Sequence, residues 1–244
     1  MGTKTVEVFA DKSALIQRSL QLVLEKLEAA VAERGQFTLA LAGGSTPKPL
    51  YEALAQQDLD WEKIQVLWGD ERYVPPDHPD SNEGMARAAW LNHVPIPAVN
   101  LYPMPTDEAD PTVAAQRYQQ ELQSLFQVQP GTFPAIDLIL LGIGDDGHTA
   151  SLFPHTAALQ VEDQLVTVGN KDGQPRITLT APLINQARTV SFMVAGASKR
   201  PALRAIFSES ADSLEYPARL IQPQGELWWL LDQAAGEEVQ SLRF

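Results

Sequence analysis

One stretch of the sequence, residues 141–154, combines glycines, an acidic pair and a histidine in an order that suits proton transfer. Asp145, Asp146 and Gly147 directly precede His148. Histidine has an unperturbed pKa of about 6.5, so its imidazole can accept and return a proton near neutral pH. Asp146, two residues earlier, can orient the ring and stabilise its charged form. The alternative is a purely structural role, in which a buried histidine at a helix start bonds only to the backbone. The neighbouring acid and glycines favour a role in proton transfer instead.

The same stretch contains the pattern G-x-G-x-x-G, at Gly142, Gly144 and Gly147. This pattern is typical of dinucleotide binding when it follows a strand. Here Asp145 and Asp146 occupy the place of the pyrophosphate and would repel it. A nicotinamide oxidoreductase is therefore disfavoured.

A second stretch, Gly43-Gly44-Ser45-Thr46-Pro47, has the composition of a phosphate-binding turn. Glycines let backbone amides approach an anion closely, and the two hydroxyls add donors. Proline is favoured at the first position of the helix that should follow. The Gly-Lys-Ser/Thr ending of a P-loop is missing. A tight turn capped by Ser45 or Thr46 explains the residues about as well when the stretch is taken alone.

A third polar stretch, residues 69–75, places Asp70, Glu71 and Arg72 directly after an apolar run. Arg72 could clamp a phosphate or polarise a carbonyl. Asp70 and Glu71 are candidate bases. A solvated turn is the alternative interpretation.

Other catalytic classes lack their residues. The chain has no Cys, which excludes disulfides, thiolate metal sites and a Cys nucleophile. No histidine pair has the i, i+4 spacing of a zinc motif, so no metal site is predicted. No G-x-S-x-G elbow exists, and Ser151 is expected to lie inside a helix start.

The charge distribution favours a small anionic ligand. The net charge is −13, which disfavours nucleic acid and anionic membrane surfaces as partners because both require clustered Lys and Arg. Residues 164–208 nevertheless carry six Lys and Arg against a single acid, Asp172. A local excess of positive charge suits one small anion held at one place.

Hydrophobic periodicity alternates between helices and strands. Apolar residues recur at helical spacing from Ile16 to Val31, with Asp11 or Ser13 as start signal and Gly35 as stop. Further helices are predicted over 47–57, 80–92, 110–126, 201–208 and 233–241, and strands over 37–42, 64–68, 136–141, 165–168, 177–180, 190–195 and 227–231. This alternation predicts an α/β fold with an open, mainly parallel sheet covered by helices on both faces. The three polar stretches each follow a strand, so they should meet at one sheet edge.

Four ordered motifs carry a resemblance to a known family. LAGGSTP (41–47), GDERYVP (69–75), GIGDDGHTASLFP (142–154) and RITLT (176–180) with GASK (196–199) resemble the 6-phosphogluconolactonases. That family shares a Rossmann-like, three-layer αβα (NagB/RpiA-like) fold with the glucosamine-6-phosphate deaminases. The deaminases usually carry DEY in place of Asp70-Glu71-Arg72 and HIAFN in place of residues 148–152, so both positions favour the lactonases. Ile143 replaces a common methionine, which is a conservative apolar change.

The resemblance implies hydrolysis of 6-phospho-D-glucono-1,5-lactone in the oxidative pentose phosphate pathway. It implies that His148 activates water and then protonates the departing ring oxygen, with Asp146 orienting the ring. The residues implied to bind the phosphate are Gly43, Gly44, Ser45, Thr46, Arg72, Arg176 and Lys199. No metal or organic cofactor is expected, because an activated ester requires only a base, a proton donor and oxyanion stabilisation.

Several expectations and alternatives accompany this hypothesis. Isomerisation or deamination of an amino-sugar phosphate, with Asp70 as base, remains open, as does a non-catalytic sugar-phosphate sensor. We expect one domain over residues 1–244 and, in the absence of a signal peptide or a long apolar run, a cytoplasmic protein. The sequence does not decide the oligomeric state, for which a monomer is the default expectation.

Overall fold

The computed structural model describes residues 2–239. Within them the strands are β1 (Lys4–Phe9), β2 (Phe37–Leu41), β3 (Ile64–Trp68), β4 (Asp70–Arg72), β5 (Leu101–Tyr102), β6 (Leu138–Leu141), β7 (Val166–Lys171), β8 (Gln174–Leu179), β9 (Thr189–Val194) and β10 (Glu226–Asp232). The helices are α1 (Lys12–Arg34), α2 (Lys48–Leu54), α3 (Asn82–Ala86), α4 (Pro111–Phe126), α5 (Ala181–Asn185), α6 (Arg200–Phe207) and α7 (Gln233–Gly236).

Seven of the strands form one sheet in the order β1-β10-β9-β6-β2-β3-β5, and every neighbouring pair is parallel. After β2 the chain adds β3 and β5 on one side, then returns to place β6, β9 and β10 on the other side. The junction between β2 and β6 is therefore a topological switch point. Ligands of open α/β sheets bind at the carboxyl ends of the strands beside such a junction.

The central strands of this sheet are covered on both faces. β2, β6 and β9 are buried along their whole lengths. Because successive side chains of a strand point to opposite faces, burial at every position requires cover on both sides. This confirms the predicted α/β fold class, and it fixes the loops at the strand ends on a rigid base.

The two long helices begin and end where the sequence signals lie. The side chain of Asp11 accepts a hydrogen bond from the amide of Ala14 at the start of α1, and Gly35 ends it with φ 77°. Asp110 caps α4 in the same way through the amide of Thr112, and Pro111 occupies its first position. Both helices were predicted correctly.

A second, three-stranded antiparallel sheet, in the order β4-β8-β7, differs from the sequence prediction. Residues 70–72, predicted as part of a loop, form β4, and the strands predicted near 165–168 and 177–180 belong to this small sheet instead of the parallel one. Three charged residues carry no strand signal of their own. The pairing of β4 with β8 depends on partners more than 100 residues away in the sequence, as its register Asp70↔Thr178 demonstrates.

Other local predictions were also wrong. β1 and α5 were not predicted, and the helix expected over 80–92 consists of α3 followed by a π-helical turn, Arg87–Leu91. Ser151 does not lie in a helix start, because residues 149 and 152 form a β-bridge around a tight turn. The helix expected over 233–241 ends at Gly236, and residues 240 and 241 lie outside the described residues.

Candidate active site

A cavity of about 410 Å³ opens at the carboxyl edge of the parallel sheet. Its walls are the segments that follow β2, β3, β6 and β9, together with residues from the small sheet. The strand order predicts this location, since the loops after β2 and β6 flank the switch point. The lining includes these residues of the sequence prediction: Gly43, Gly44, Ser45, Thr46, Asp70, Arg72, His148, Arg176 and Lys199.

His148 and Asp146 form a hydrogen-bonded pair beside this cavity. Nδ1 of His148 lies 2.5 Å from Oδ1 of Asp146, and the amide of His148 donates to the same oxygen over 3.1 Å. The His148 side chain is 18% exposed and lines the cavity, whereas the Asp146 side chain is 48% exposed and is not part of the lining. A carboxylate that accepts from Nδ1–H leaves Nε2 as the free base of the neutral ring.

The surroundings favour the neutral form of this imidazole. Burial lowers the pKa of His148 from its ordinary value, against the raising effect of Asp146 and the weaker one of Asp70. For Asp146, burial alone would raise the pKa, but the charge of His148 and the hydrogen bonds from it outweigh that effect and lower the pKa. At neutral pH the pair is thus an imidazole beside a carboxylate, which is the state that a general base requires.

Gly144 makes room for this pair. A Cβ at position 144 would lie 2.1 Å from Nδ1 of His148 and 2.5 Å from Oδ1 of Asp146. Any side chain here would displace the imidazole or the carboxylate. Gly144, part of the glycine pattern that resembles a nucleotide motif, therefore lets the backbone come close to the His148–Asp146 pair.

The glycine turn after β2 has donors without protein acceptors. No backbone carbonyl among residues 2–239 accepts a hydrogen bond from the amides of Gly43, Gly44, Ser45 or Thr46. The alternative interpretation, a turn capped by Ser45 or Thr46, is wrong, because α2 has no side-chain cap. Unpaired amides at the wall of a cavity are suited to an anion.

Two arginines on neighbouring strands face the same cavity. Arg72 of β4 and Arg176 of β8 are register partners in the small sheet. Nη1 of Arg72 donates to the carbonyl of Asp80, but within the described chain its buried Nε has no hydrogen-bond partner. Burial lowers the pKa of Arg176, and the charge of Arg72 adds to this effect. Two adjacent guanidinium groups with unused donors form a site that an anion would stabilise.

Lys199 lines the cavity but is engaged with Asp145. Its Nζ lies 2.7 Å from Oδ1 of Asp145, and this hydrogen bond lowers the pKa of the Asp145 carboxyl. An incoming anion would compete with Asp145 for the ammonium. Asp145 is one of the two acids that disfavour dinucleotide binding in the sequence. In the structure it pairs with Lys199, the cation expected to bind phosphate.

Glu71 is not a base of this site. It is 2% exposed, does not line the cavity, and accepts four hydrogen bonds. Burial raises the pKa of Glu71 to about 7, against the lowering effect of the backbone donors. The carboxylate oxygens of Glu71 accept hydrogen bonds from residues 81–83 and so hold this segment in place. The Asn82 side chain thereby reaches the glycine turn, where a Cβ on Gly43 would lie 1.9 Å from Oδ1 of Asn82.

Sequence reasoning missed four residues of the site: Asn82, Ser151, Phe153 and Lys171. The Phe153 ring lies 4.5 Å from the His148 ring between centroids, and Asn82 and Lys171 line the cavity. Ser151 and Phe153 belong to the motif around His148, so their place in that motif could have indicated that they lie close to the site. Lys171 reaches the site because β7 belongs to the small sheet, and Asn82 reaches it because Glu71 holds its segment by hydrogen bonds. The sequence predicted neither arrangement.

Metal-binding clusters and membrane-spanning helices are both absent from the part of the chain that the structure describes. Residues 2–239 hold no group of three or more His, Asp or Glu side chains arranged to bind a metal ion. None of the helices in this range is both long and apolar enough to cross a bilayer.

Comparison with known proteins assigns a family to this geometry. Residues 10–229 match the model of the glucosamine-6-phosphate isomerases/6-phosphogluconolactonase family. A 6-phosphogluconolactonase from a Nostoc species is 65% identical over 97% of this chain and 98% of the relative. The chain belongs to the glucosamine-6-phosphate isomerase/6-phosphogluconolactonase family.

Solved structures of the family agree with this fold. The 6-phosphogluconolactonase from Trypanosoma brucei superposes with a TM-score of 0.84 at 30% identity, over 98% of this chain and 100% of that one. A monomeric glucosamine-6-phosphate deaminase superposes with a TM-score of 0.79 at 20% identity, over 96% and 99%, and supports the fold alone. The family resemblance read from the four motifs is thereby confirmed.

Proposed function

We propose that this chain hydrolyses 6-phospho-D-glucono-1,5-lactone to 6-phosphogluconate in the oxidative pentose phosphate pathway. The observation that carries the proposal is the convergence of three features on one cavity. They are an imidazole with a carboxylate partner, a glycine turn with unpaired amides, and two neighbouring guanidinium groups, of which Arg72 has an unpaired Nε. The close relative named 6-phosphogluconolactonase supports the same reaction. A cavity of about 410 Å³ is large enough for one small ligand.

In this proposal the phosphate rests on the glycine turn and the cations. The amides of Gly43, Gly44 and Ser45 and the hydroxyl of Thr46 donate to its oxygens. Arg72, Arg176 and Lys199 add charge, Lys199 after exchanging Asp145 for the phosphate. Binding at this end fixes the lactone ring in front of His148, which supplies the positional advantage of an intramolecular reaction.

His148 then acts as base and afterwards as acid. Its Nε2 takes a proton from a water molecule whose oxygen bonds to the lactone carbonyl carbon, and the carbonyl electron pair moves onto its oxygen. The pair returns, the bond between C1 and the ring oxygen breaks, and the imidazolium gives its proton to that oxygen. Asp146 keeps the ring orientation and stabilises the intermediate cation. The product carboxylic acid ionises in solution.

This chemistry requires neither a metal nor an organic cofactor, because a lactone is already an activated ester. The proposal includes a cytoplasmic location and a monomeric state, which follow from the sequence expectations. Subcellular fractionation and analytical ultracentrifugation test them. A membrane-bound or strictly oligomeric protein would contradict these two parts without affecting the chemistry.

A hydrolysis assay at controlled pH tests the proposal. Freshly generated 6-phosphogluconolactone opens spontaneously, so the protein's rate must be measured against the same solution without protein. We expect opening to accelerate in proportion to protein concentration. A rate equal to the spontaneous one would refute the proposal.

A second candidate function rests on Asp70, which is buried, lines the cavity and lies in the position that the deaminase hypothesis assigns to a base. It predicts release of ammonia from glucosamine 6-phosphate. Release of ammonia without acceleration of lactone opening would replace the first proposal with this one.

A further inference from the structure

One face of the small sheet is turned toward the cavity. Arg72, Arg176 and Gly169 stand side by side in the register of β4, β8 and β7. Side chains two residues apart on a strand share a face, so Asp70 lies on the same face as Arg72, and Lys171 on the same face as Gly169. Asp70, Arg72, Arg176 and Lys171 all line the cavity.

Lys171 differs from the other lysine of the cavity in its contacts. Nζ of Lys199 is paired with Asp145. Within residues 2–239, Lys171 makes no ion pair and its ammonium has no hydrogen-bond acceptor; its nearest recorded partner is the Phe153 ring, whose centroid lies 5.8 Å from Nζ. A cation at the wall of a cavity with three unused donors is available to a ligand.

The position of Lys171 is on the imidazole side of the cavity. The Phe153 ring that it approaches also packs against the His148 ring, at 4.5 Å between centroids and with 47° between the ring planes. The charge of Lys171 acts on His148 and lowers its pKa, whereas Arg176 is coupled to Arg72. The guanidinium of Arg176 lies 5.4 Å from the same Phe153 ring centroid, so both cations flank Phe153. Arg176 is also the register partner of Arg72, whereas Lys171 is the register partner of Gln174 and has no second cation across the ladder.

We infer that Lys171 is a further catalytic residue, whose ammonium contacts the carbonyl oxygen of the lactone and stabilises the negative charge that develops there. The inference rests on the proposed lactone hydrolysis. When the water oxygen bonds to the carbonyl carbon, the electron pair that moves onto the carbonyl oxygen meets the ammonium. Lys171 keeps its protons throughout, and all proton transfer passes through His148. Fixed positive charge at a developing oxyanion is among the largest single contributions to catalysis of acyl transfer.

A competing role for Lys171 is a further contact to the phosphate. The two roles separate in steady-state kinetics, because a group that binds substrate and transition state equally changes KM, whereas a group engaged only in the transition state changes kcat. The competitive inhibition constant of inorganic phosphate supplies an independent readout of the phosphate site. Lys171 is exposed at the end of β7, so its replacement leaves the core unchanged.

The experiment compares Lys171→Met and Lys171→Arg with a matched control, Lys63→Met. Lys63 is exposed and precedes β3, at the amino edge of the sheet opposite the cavity. We expect Lys171→Met to lower kcat about 10²- to 10³-fold, the usual effect of removing one oxyanion donor. KM and the phosphate inhibition constant should stay close to their wild-type values. Lys171→Arg should recover part of the lost kcat, and Lys63→Met should behave as wild type.

Two outcomes overturn the inference alone. In one, Lys171→Met keeps the wild-type kcat while the wild-type protein accelerates lactone opening. In the other, KM and the phosphate inhibition constant rise together at unchanged kcat, which makes Lys171 a phosphate ligand. Failure of the wild-type protein to accelerate lactone opening overturns the lactonase proposal and this inference together.

Discussion

The hydroxyl of Ser151 donates a hydrogen bond to Oδ2 of Asp70 across 2.7 Å, and both side chains are buried. The amide of Ser151 also donates to the hydroxyl of Thr178. Opposite them, a Cβ on Gly169 would lie 2.3 Å from the Ser151 carbonyl oxygen, so the absence of a side chain permits the close approach. These contacts attach the loop that carries His148 to the small sheet that carries the arginines. The part of the cavity proposed for catalysis and the part proposed for phosphate binding are thus attached to each other.

Replacement of Ser151 by Ala should weaken this attachment. Asp70 would lose a donor while remaining buried, which costs about 1–3 kcal/mol of the free energy of unfolding. The displaced loop should also lower kcat, by up to about 10²-fold for a shift of 1 Å. Urea denaturation and steady-state kinetics measure the two effects.

Ser191→Ala is the matched control for this prediction. Ser191 is 1% exposed, and within the described residues its hydroxyl has no hydrogen-bond partner. Its removal should be nearly neutral for stability and activity. If Ser151→Ala behaved like Ser191→Ala in both measurements, the attachment would have no energetic role.

The pH dependence of kcat/KM should report the His148–Asp146 pair. The base is active when neutral, so activity should be lost as pH falls through a pKa below 6.5, the ordinary value from which burial lowers His148. The carboxylate of Asp146 raises that pKa. Asp146→Asn should therefore move the acidic limb to still lower pH and lower the plateau about 10²- to 10⁴-fold, since the ring orientation is lost. A limb that moves to higher pH would contradict the assigned partner.

Arg176 should act on substrate binding. Arg176→Met removes a guanidinium group from the phosphate, and KM should rise about 10- to 100-fold, the range for a charge-assisted hydrogen bond. The kcat should change little. Unphosphorylated gluconolactone supplies the internal control, because its weaker turnover should not depend on Arg176. Arg204→Met, which alters an exposed arginine paired with Glu238 outside the cavity, should leave both parameters unchanged.

An equal KM for the wild-type protein and the Arg176→Met variant would remove Arg176 from the phosphate site. The phosphate would then have to be held by the other residues proposed for its site, which are Gly43, Gly44, Ser45, Thr46, Arg72 and Lys199. The roles of these residues stay predictions until such variants are measured.

The sequence predicted the parts of the fold that depend on local signals. α1 and α4 carry helical periodicity and begin at Asp caps, so local signals predict where both helices start. The polar segments that hold Gly43, Arg72 and His148 each follow an apolar strand of the parallel sheet, and parallel topology brings such segments to one edge. The single domain over residues 1–244 stays a prediction.

The parts that failed depend on contacts distant in the sequence. β4 consists of Asp70, Glu71 and Arg72, which form a strand only because β8 supplies the ladder partners. The interpretation of Glu71 as a base failed because its burial and four donors come from packing. Lys171 follows the same pattern: at the end of β7 it looks like a solvated residue in a turn, and only the fold brings it beside Phe153.

The most direct test of the central claim compares His148→Ala with His93→Ala. His93 is exposed, lies outside the cavity and should leave the kinetics unchanged when replaced. We predict that His148→Ala lowers kcat for 6-phosphogluconolactone about 10²- to 10⁴-fold, with KM and the melting temperature close to wild type. An unchanged kcat, or a loss that merely follows a fall in melting temperature, would contradict the account.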